Sequence, residues 1–98
     1  MHTHARIDEL VPKFAFGRIV ATPAALRAIP EEEILRSLAR HAQADWGDLD
    51  LADRAANERA LARGGRLFSQ YHSIRGVKFW IITEADRSAT TVLLPEDY

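Results

Sequence analysis

The stretch TEADRSATTVLLPEDY carries the densest mixture of charged and hydroxyl side chains in the chain. Glu84 and Asp86 next to Arg87 could form an acid–base pair with a cation, and such a cluster cleaves RNA when it stands over a basic concave sheet. The alternative, which we favour, is a hairpin turn, because an aspartate in a short loop bonds the nearby backbone amides. On that interpretation Arg87 points to solvent or forms an exposed pair.

The four histidines do not show the spacing of metal ligands, and the chain has no cysteine. A metal site is therefore not expected. His2 and His4 fall in a loose terminal segment, and His41 falls near the end of a predicted helix, where a positive charge complements the helix dipole. His72 remains, either as a general base or, as we favour, as a histidine at the sheet margin bonded to a backbone carbonyl.

If the chain is an endoribonuclease, we expect its catalytic residues among the arginine, histidine, glutamate and tyrosine side chains in the second half of the sequence. The candidates are Arg66, His72, Glu84, Arg87 and Tyr98.

Aromatic residues supply a second kind of candidate site. Trp46 lies between Asp45 and Asp48 in the loop DWGDL, and an exposed tryptophan in such a loop has the profile of a recognition anchor. It could instead plug the gap between helices and sheet, which is the interpretation we favour, since large aromatics are well buried on average. With Tyr71 and Trp80 these residues form the candidate binding set.

Periodicity predicts the elements that would position these side chains. A strand is predicted from Phe14 to Ala21, a short helix from Pro23 to Ile29, and a longer helix over PEEEILRSLARHAQA, whose glutamates lie in the first turn. Asp50 is expected to cap an alanine-rich helix from Leu51 to Arg63 that ends at two glycines and packs closely on its buried side. Its exposed side would carry a charge ladder, formed by Asp50, Arg54 and Glu58.

From Arg66 onward the pattern predicts three strands, RLFSQYHSI, VKFWIITE and ATTVLLP. A two-residue Arg75-Gly76 turn between the first two would place Tyr71 opposite Trp80 on one face of the sheet. Phe68, Phe79 and Ile81 would lie on the other face with Gln70 and His72. The predicted fold class is α+β: an N-terminal strand, two to three helices, then a three-stranded antiparallel meander packed on the helices.

Size and composition bound the remaining possibilities. The 98 residues suffice for one α+β domain over residues 1–98, with residues 1–12 as a flexible segment. A net charge of −1 disfavours a protein whose main task is to grip phosphate backbone. No apolar run is long enough for a membrane span and no signal peptide is evident, so we expect a cytoplasmic protein without membrane attachment. No nucleotide-binding or other cofactor fingerprint is present, so no cofactor is expected.

The segments ADWGDLDLADRAANERAL, GGRLFSQY and KFWIITEADRSATTVLLPEDY resemble a family of small, uncharacterised bacterial proteins of plasmids and integrated elements. Members are often labelled plasmid-related protein or type I restriction subunit M, although a chain of this length has no room for a methyltransferase domain. The resemblance implies a mobile-element setting and supplies no catalytic residues. Separately, the order of elements is similar to that of ribonuclease toxins of the RelE and barnase type, which are typically basic.

These observations lead to two functional hypotheses. The first is a non-enzymatic domain that binds another macromolecule, with a protein partner favoured over nucleic acid, as an accessory of a mobile element that could interfere with host defence. The second is a RelE- or barnase-like endoribonuclease. A homodimer formed through exposed sheet residues is a third arrangement that requires no other partner.

Overall fold

A computed structural model describes residues 11–98 of the chain. His2 and His4, and most of the segment 1–12 that the sequence predicts to be flexible, lie outside the described residues.

The described residues form the predicted α+β fold, in which two helices pack on one face of a four-stranded sheet and a third lies along its edge. The sheet order is β1-β4-β3-β2; β1 pairs in parallel with β4, and the other two pairings are antiparallel, as the predicted meander requires. In chain order the elements are β1 (Arg18–Ala21), α1 (Pro23–Ala28), α2 (Glu31–Ala42), α3 (Leu51–Arg63), β2 (Leu67–His72), β3 (Lys78–Thr83), β4 (Ala89–Leu93) and a 3₁₀ turn (Pro95–Asp97).

Strand β1 begins four residues later than predicted because the chain bends at Gly17. This glycine has a φ of 63°, in the left-handed region, and a side chain there would clash with the backbone of Ser88. The close approach lets the Arg18 amide donate to the Ser88 carbonyl at 3.0 Å, which starts the pairing of β1 with β4.

The first two helices begin as the sequence predicts. The Thr22 hydroxyl accepts a hydrogen bond from the Ala25 amide at 3.1 Å and caps α1, whose first residue is a proline. Three glutamates occupy the first turn of α2. Ile34, Leu38 and Ala42 are buried along one stripe of α2, as expected for a helix of period 3.6. The main core joins α1 and α2 to one sheet face and contains Ala25, Ile29, Ile34, Leu38, Tyr71, Phe79, Ile81, Val92 and Leu94.

The predicted register of the β2–β3 hairpin is wrong by one residue. Ser73 pairs with Val77 across the turn, with the Ser73 amide donating to the Val77 carbonyl at 2.9 Å, so the loop has three residues and ends at Gly76 with a φ of 86°. Tyr71 therefore pairs with Phe79, not with Trp80. Because side chains alternate along a strand, Tyr71 and Trp80 lie on opposite faces of the sheet.

Helix α3 packs less closely than its alanine content predicts, since Asn57 is its only buried residue. The Asn57 amide binds both backbone groups of Phe68: Nδ2 donates to the carbonyl at 2.6 Å, and Oδ1 accepts from the amide at 3.0 Å. One side chain thus fastens α3 along strand β2, where a neighbouring strand would otherwise bind.

The predicted solvated charge ladder on α3 is also wrong in part. Asp50 caps the helix by accepting from the Asp53 amide at 2.8 Å. Arg54 instead donates to two carbonyls of the preceding loop, those of Gly47 at 2.9 Å and Leu49 at 3.0 Å. These bonds hold the loop between α2 and α3 against the start of α3.

A chain of hydrogen bonds crosses the core from β2 to the segment before β1. His41, fully buried on α2, lies 2.5 Å from Ser69 Oγ through Nδ1 and 2.9 Å from Thr83 Oγ1 through Nε2. Thr83 Oγ1 lies 2.7 Å from Thr90 Oγ1, and Thr90 donates to the Phe16 carbonyl at 2.8 Å.

The donor and the acceptor of each hydrogen bond in this series follow from its last hydroxyl, that of Thr90. Thr90 uses its one proton on the Phe16 carbonyl, so Thr83 must donate to Thr90. Thr83 then has only lone pairs to offer His41, whose Nε2 must carry the proton. Nδ1 is left to accept from Ser69, and the imidazole is neutral.

Burial enforces the neutral state of His41, and the nearby positive charge of Arg87 adds to the effect; together they lower its pKa from 6.5 to about 3. The sequence-based interpretation of His41 as a cation that complements the dipole of α2 is therefore wrong at neutral pH. A charged imidazole would donate from both nitrogens, and the Ser69 hydroxyl would have to change from donor to acceptor.

The pH dependence of stability tests this assignment. The unfolded chain takes up a proton at His41 below pH 6.5, whereas the folded chain does so only near pH 3, so the free energy of unfolding falls as pH falls through this window. We expect a loss of about 2–3 kcal/mol between pH 6.5 and 4.5, measured by urea denaturation.

The matched variant is His41→Gln, whose amide can donate and accept but does not titrate. Its stability should change much less over the same two pH units, whatever its absolute value. Measuring above pH 4.5 keeps Asp45, whose pKa is lowered by its bond to Arg40, ionised in the folded chain. Parallel pH profiles for the two proteins would contradict a neutral buried His41.

Candidate functional site

The sheet face opposite α1 and α2 carries a cavity between two strands and the last residue. Strands β2 and β3 place Phe68, Trp80 and Ile82 on this face, and Phe68 pairs directly with Ile82. With Arg66 and Tyr98 these side chains line a cavity of about 290 Å³, which we call the open-face pocket. Such an apolar depression with a few polar groups at its edge is the usual form of a binding site.

Aromatic contacts organise the apolar part of the open-face pocket. The Trp80 ring lies edge-on to Phe68, with centroids 5.0 Å apart, and also edge-on to Tyr98 at 5.8 Å. Its indole Nε1 donates to the Gln70 side chain at 3.0 Å. The polar atom of Trp80 is therefore satisfied by the protein, and its ring is half-buried in the pocket wall.

A charged group forms the edge of the pocket. Arg66 Nη1 donates to the Tyr98 phenolic oxygen at 2.5 Å, and the guanidinium carbon lies 5.3 Å from the Tyr98 ring centre. Arg66 Nε also lies 3.6 Å from a carboxylate oxygen of Glu84. The fold thus brings together three of the five proposed ribonuclease residues, Arg66, Glu84 and Tyr98.

The 3₁₀ turn that carries Tyr98 is fastened to the first helix. Asp97 Oδ2 accepts from the Thr22 hydroxyl at 2.7 Å and from the Leu94 amide at 3.0 Å. The hydrogen bond from Thr22 is the main reason why the pKa of Asp97 lies below its usual value. Tyr98 itself remains 70% exposed, so its ring stands at the rim of the pocket.

His72 does not join this cluster. It lies at the opposite end of β2, paired with Lys78, whereas Arg66 immediately precedes the strand. Its Nδ1 lies 2.7 Å from Asp48 Oδ2, and both side chains are partly exposed. The expected partner of His72, a backbone carbonyl, is thus replaced by a carboxylate of the loop between α2 and α3.

The stretch from Glu84 to Ser88 is a turn, as predicted. The Arg87 amide donates to the Glu84 carbonyl at 2.9 Å, and Asp86 Oδ1 accepts from the Ser88 amide at 2.9 Å. Hydrogen bonds from the Ser88 side chain and amide hold the pKa of Asp86 below its usual value. Asp86 therefore bonds within the exposed loop and does not line the pocket.

Arg87 does not point to solvent, which corrects the expectation from the sequence. Its guanidinium donates to four backbone carbonyls, those of Ala60, Gly65, Glu84 and Ala85, at distances between 2.5 and 3.4 Å. The residue has a φ of 61°, which lies in the left-handed region. Arg87 joins the end of α3 to the β3–β4 turn and has a structural role.

Replacing Arg87 should cost much more stability than replacing its neighbour. Arg87→Ala removes the donor to the Gly65 carbonyl and the second donor to the Ala60 carbonyl, which keeps the Gly64 amide, and we expect a loss of about 2 kcal/mol in the free energy of unfolding. Asp86→Ala, which removes a fully exposed carboxylate from the same turn, is the control and should change the urea midpoint little. Equal effects of the two changes would contradict the structural role of Arg87.

Two members of the candidate binding set are buried and do not belong to any surface. Trp46 is 5% exposed, packs with Phe14 and donates to Glu58 at 2.7 Å, in agreement with its interpretation as a plug. Tyr71 is 1% exposed and donates to the Asp45 carbonyl at 2.5 Å. Burial raises the pKa of its phenol above the usual range.

The remaining members lie apart from one another. Asp45 forms a bidentate ion pair with Arg40, with contacts of 2.7 and 3.1 Å, and the hydrogen bond from Arg40 lowers the pKa of the Asp45 carboxyl. Asp48 binds His72 near one end of β2. Only Trp80 takes part in the open-face pocket.

Ser69 and His41 form a close serine–histidine pair that the sequence did not suggest, because they are 28 positions apart. A nucleophilic serine needs access to substrate and a histidine free to pass its proton on. Here both side chains are fully buried, and Nε2 of His41 is occupied by Thr83. The pair is part of the core and not an active site.

Sequence reasoning missed Phe68 and Ile82 as site residues. The signal was the turn: a three-residue loop ending in glycine pairs Phe68 with Ile82 and sets Trp80 beside them on one face.

Among residues 11–98, no group of three histidine, aspartate or glutamate side chains could hold a metal ion. In the same part of the chain, none of the helices is long and apolar enough to cross a membrane.

Comparison with known proteins adds no relative: no protein-family model, curated protein or solved structure shows a significant match to this chain. The site must therefore be interpreted from its own geometry.

Proposed function

We propose that this chain is a non-enzymatic accessory domain that binds a partner protein through the open-face pocket. The observation that carries the proposal is the combination of Trp80, Tyr98 and Arg66 around one apolar cavity on a sheet face that α1 and α2 leave uncovered. Tryptophan, tyrosine and arginine are the residues that most often dominate the binding energy of protein interfaces, and they do so in pockets of this kind.

Charge supports a protein partner over nucleic acid. The chain has a net charge of −1, and the Glu84 carboxylate stands next to the one arginine of the pocket. A phosphate approaching Arg66 would meet this negative charge. We further propose that the partner is a bacterial cytoplasmic protein met by a mobile element, such as a component of host defence. This part of the proposal is supported by the resemblance of three sequence segments to plasmid and integrated-element proteins.

Capture from a bacterial lysate tests the proposal when variants are compared in parallel. We expect the immobilised protein to retain a partner at several salt concentrations, and Trp80→Ala and Tyr98→Ala to lose it, each with an affinity loss of about thirtyfold or more. Tyr98 is mostly exposed, so its replacement should not affect folding.

The matched control is Ile74→Ala. Ile74 is 83% exposed on the β2–β3 turn, away from the pocket, and its replacement should leave capture unchanged. A partner lost equally in the control variant, or no partner above background with the original sequence, would contradict the proposal.

The convergence of Arg66, Glu84 and Tyr98 favours an endoribonuclease as the second candidate function. Glu84 could act as general base on a ribose hydroxyl, while Arg66 stabilises the charge that develops on the phosphate. The contacts of Arg66 with Tyr98 at 2.5 Å and with Glu84 at 3.6 Å support this candidate. His72 and Arg87 are excluded from this mechanism by their positions.

On this second candidate, purified protein cleaves total RNA, and Glu84→Gln lowers the rate by a factor of about a hundred or more. His72→Ala, at the other end of β2, should cleave as fast as the original protein. Intact RNA after long incubation, together with normal cell growth under strong expression, would eliminate the ribonuclease.

A further inference from the structure

The lining of the open-face pocket fits an aromatic ring, and its volume admits one. Three of its lining residues, Phe68, Trp80 and Tyr98, are aromatic, and aromatic rings prefer edge-to-face or offset contacts with one another. Trp80 already makes edge contacts with both of the others. A cavity of about 290 Å³ lies at the small end of ligand sites and suits one ring and its immediate attachment.

The polar edge of the pocket shows which group the ring should carry. Arg66 donates to a phenolic oxygen here, that of Tyr98. A guanidinium has five N–H donors, more than its contacts with Tyr98 and Glu84 use. A second neutral oxygen could therefore bind Arg66 beside the first, whereas for an anion the attraction of Arg66 is offset by Glu84, 3.6 Å from Arg66.

We propose that the open-face pocket takes the side chain of a tyrosine from a partner protein, with its ring against Phe68 and Trp80 and its hydroxyl accepting from Arg66. This inference rests on the proposed protein-binding function and names the residue through which the partner is recognised. Tyr98 is the wall against which the incoming ring packs, at the rim of the sheet face.

The two tryptophans of the chain allow binding to the pocket to be followed through their indole N–H signals. Trp80 lines the pocket, and Trp46 is buried at a different site with its indole N–H bonded to Glu58. In an amide and indole correlation spectrum of the ¹⁵N-labelled full chain, titration with 4-methylphenol, the analogue of a tyrosine side chain, should shift the Trp80 indole signal saturably at millimolar concentration. The Trp46 signal should not move, which also shows that the fold is unchanged.

Two variants assign the binding to Arg66. Arg66→Lys keeps the positive charge but loses the planar arrangement of donors, and it should weaken 4-methylphenol binding about fivefold or more. Arg59→Lys makes the same change on the exposed side of α3 and should leave binding unaltered. Equal affinities for all three proteins would overturn the role of Arg66.

The choice of ligand decides the chemical class. 4-Methylcyclohexanol has the same outline without an aromatic ring, and adenosine monophosphate offers an aromatic base with a phosphate. Equal binding of 4-methylcyclohexanol, tighter binding of adenosine monophosphate, or no shift of Trp80 with 4-methylphenol would each overturn the proposal. Partner capture that depends on Trp80 in the absence of a 4-methylphenol shift would leave the proposed function intact and show that the partner uses another residue.

Discussion

A run of hydrogen bonds from Ser69 through His41, Thr83 and Thr90 to the Phe16 carbonyl connects most layers of this fold. It ties α2 to three strands and to the segment before β1. Burying a polar group without a hydrogen-bond partner destabilises the folded state. In this hydrogen-bonded series each hydroxyl or imidazole N–H donates to one acceptor, and all the bonds run in the same direction. Among the described residues, no buried side-chain polar atom lacks a partner.

This polar chain also restricts how the helices can sit on the sheet. An apolar core tolerates small shifts of packing, but a displacement of α2 by one residue would remove His41 from Ser69 and Thr83 together. The helix-facing side of the sheet is consequently filled and specific. The opposite side is free of this constraint, and there the chain exposes part of Trp80 and most of Tyr98 around a cavity.

Local sequence patterns predicted the elements well and the site poorly. The caps at Thr22 and Asp50, the apolar stripe of α2 and the change of period near Arg66 depend on neighbouring residues, so the fold class followed from them. The turn at Glu84–Ser88 was predicted for the same reason. The site depends on the pairing register of β2 and β3. The loop ending at Gly76 has one residue more than predicted, so Tyr71 does not share a sheet face with Trp80 and lies in the core.

Long-range contacts explain the remaining errors. His41 looks like a helix-end cation until Ser69 and Thr83 are brought beside it, and Arg87 looks like a surface charge until the end of α3 reaches it. The meeting of Arg66 with Glu84 and Tyr98 is of the same kind. None of these pairs has a local signature, because each depends on how the strands are ordered in the sheet.

The parallel pairing of β1 with β4 has a consequence for synthesis on the ribosome. The hydrogen bond between Thr90 and the Phe16 carbonyl joins residues 74 positions apart, and β1 has no partner in the sheet until β4 has left the exit tunnel. During translation Ile19 and Val20, both exposed even in the finished sheet, lie on an unpaired strand that other nascent chains could bind. Because β1 and β4 must meet, we expect the described domain to fold late relative to its translation, with a rate limited by the closure of a long loop more than by the formation of its helices.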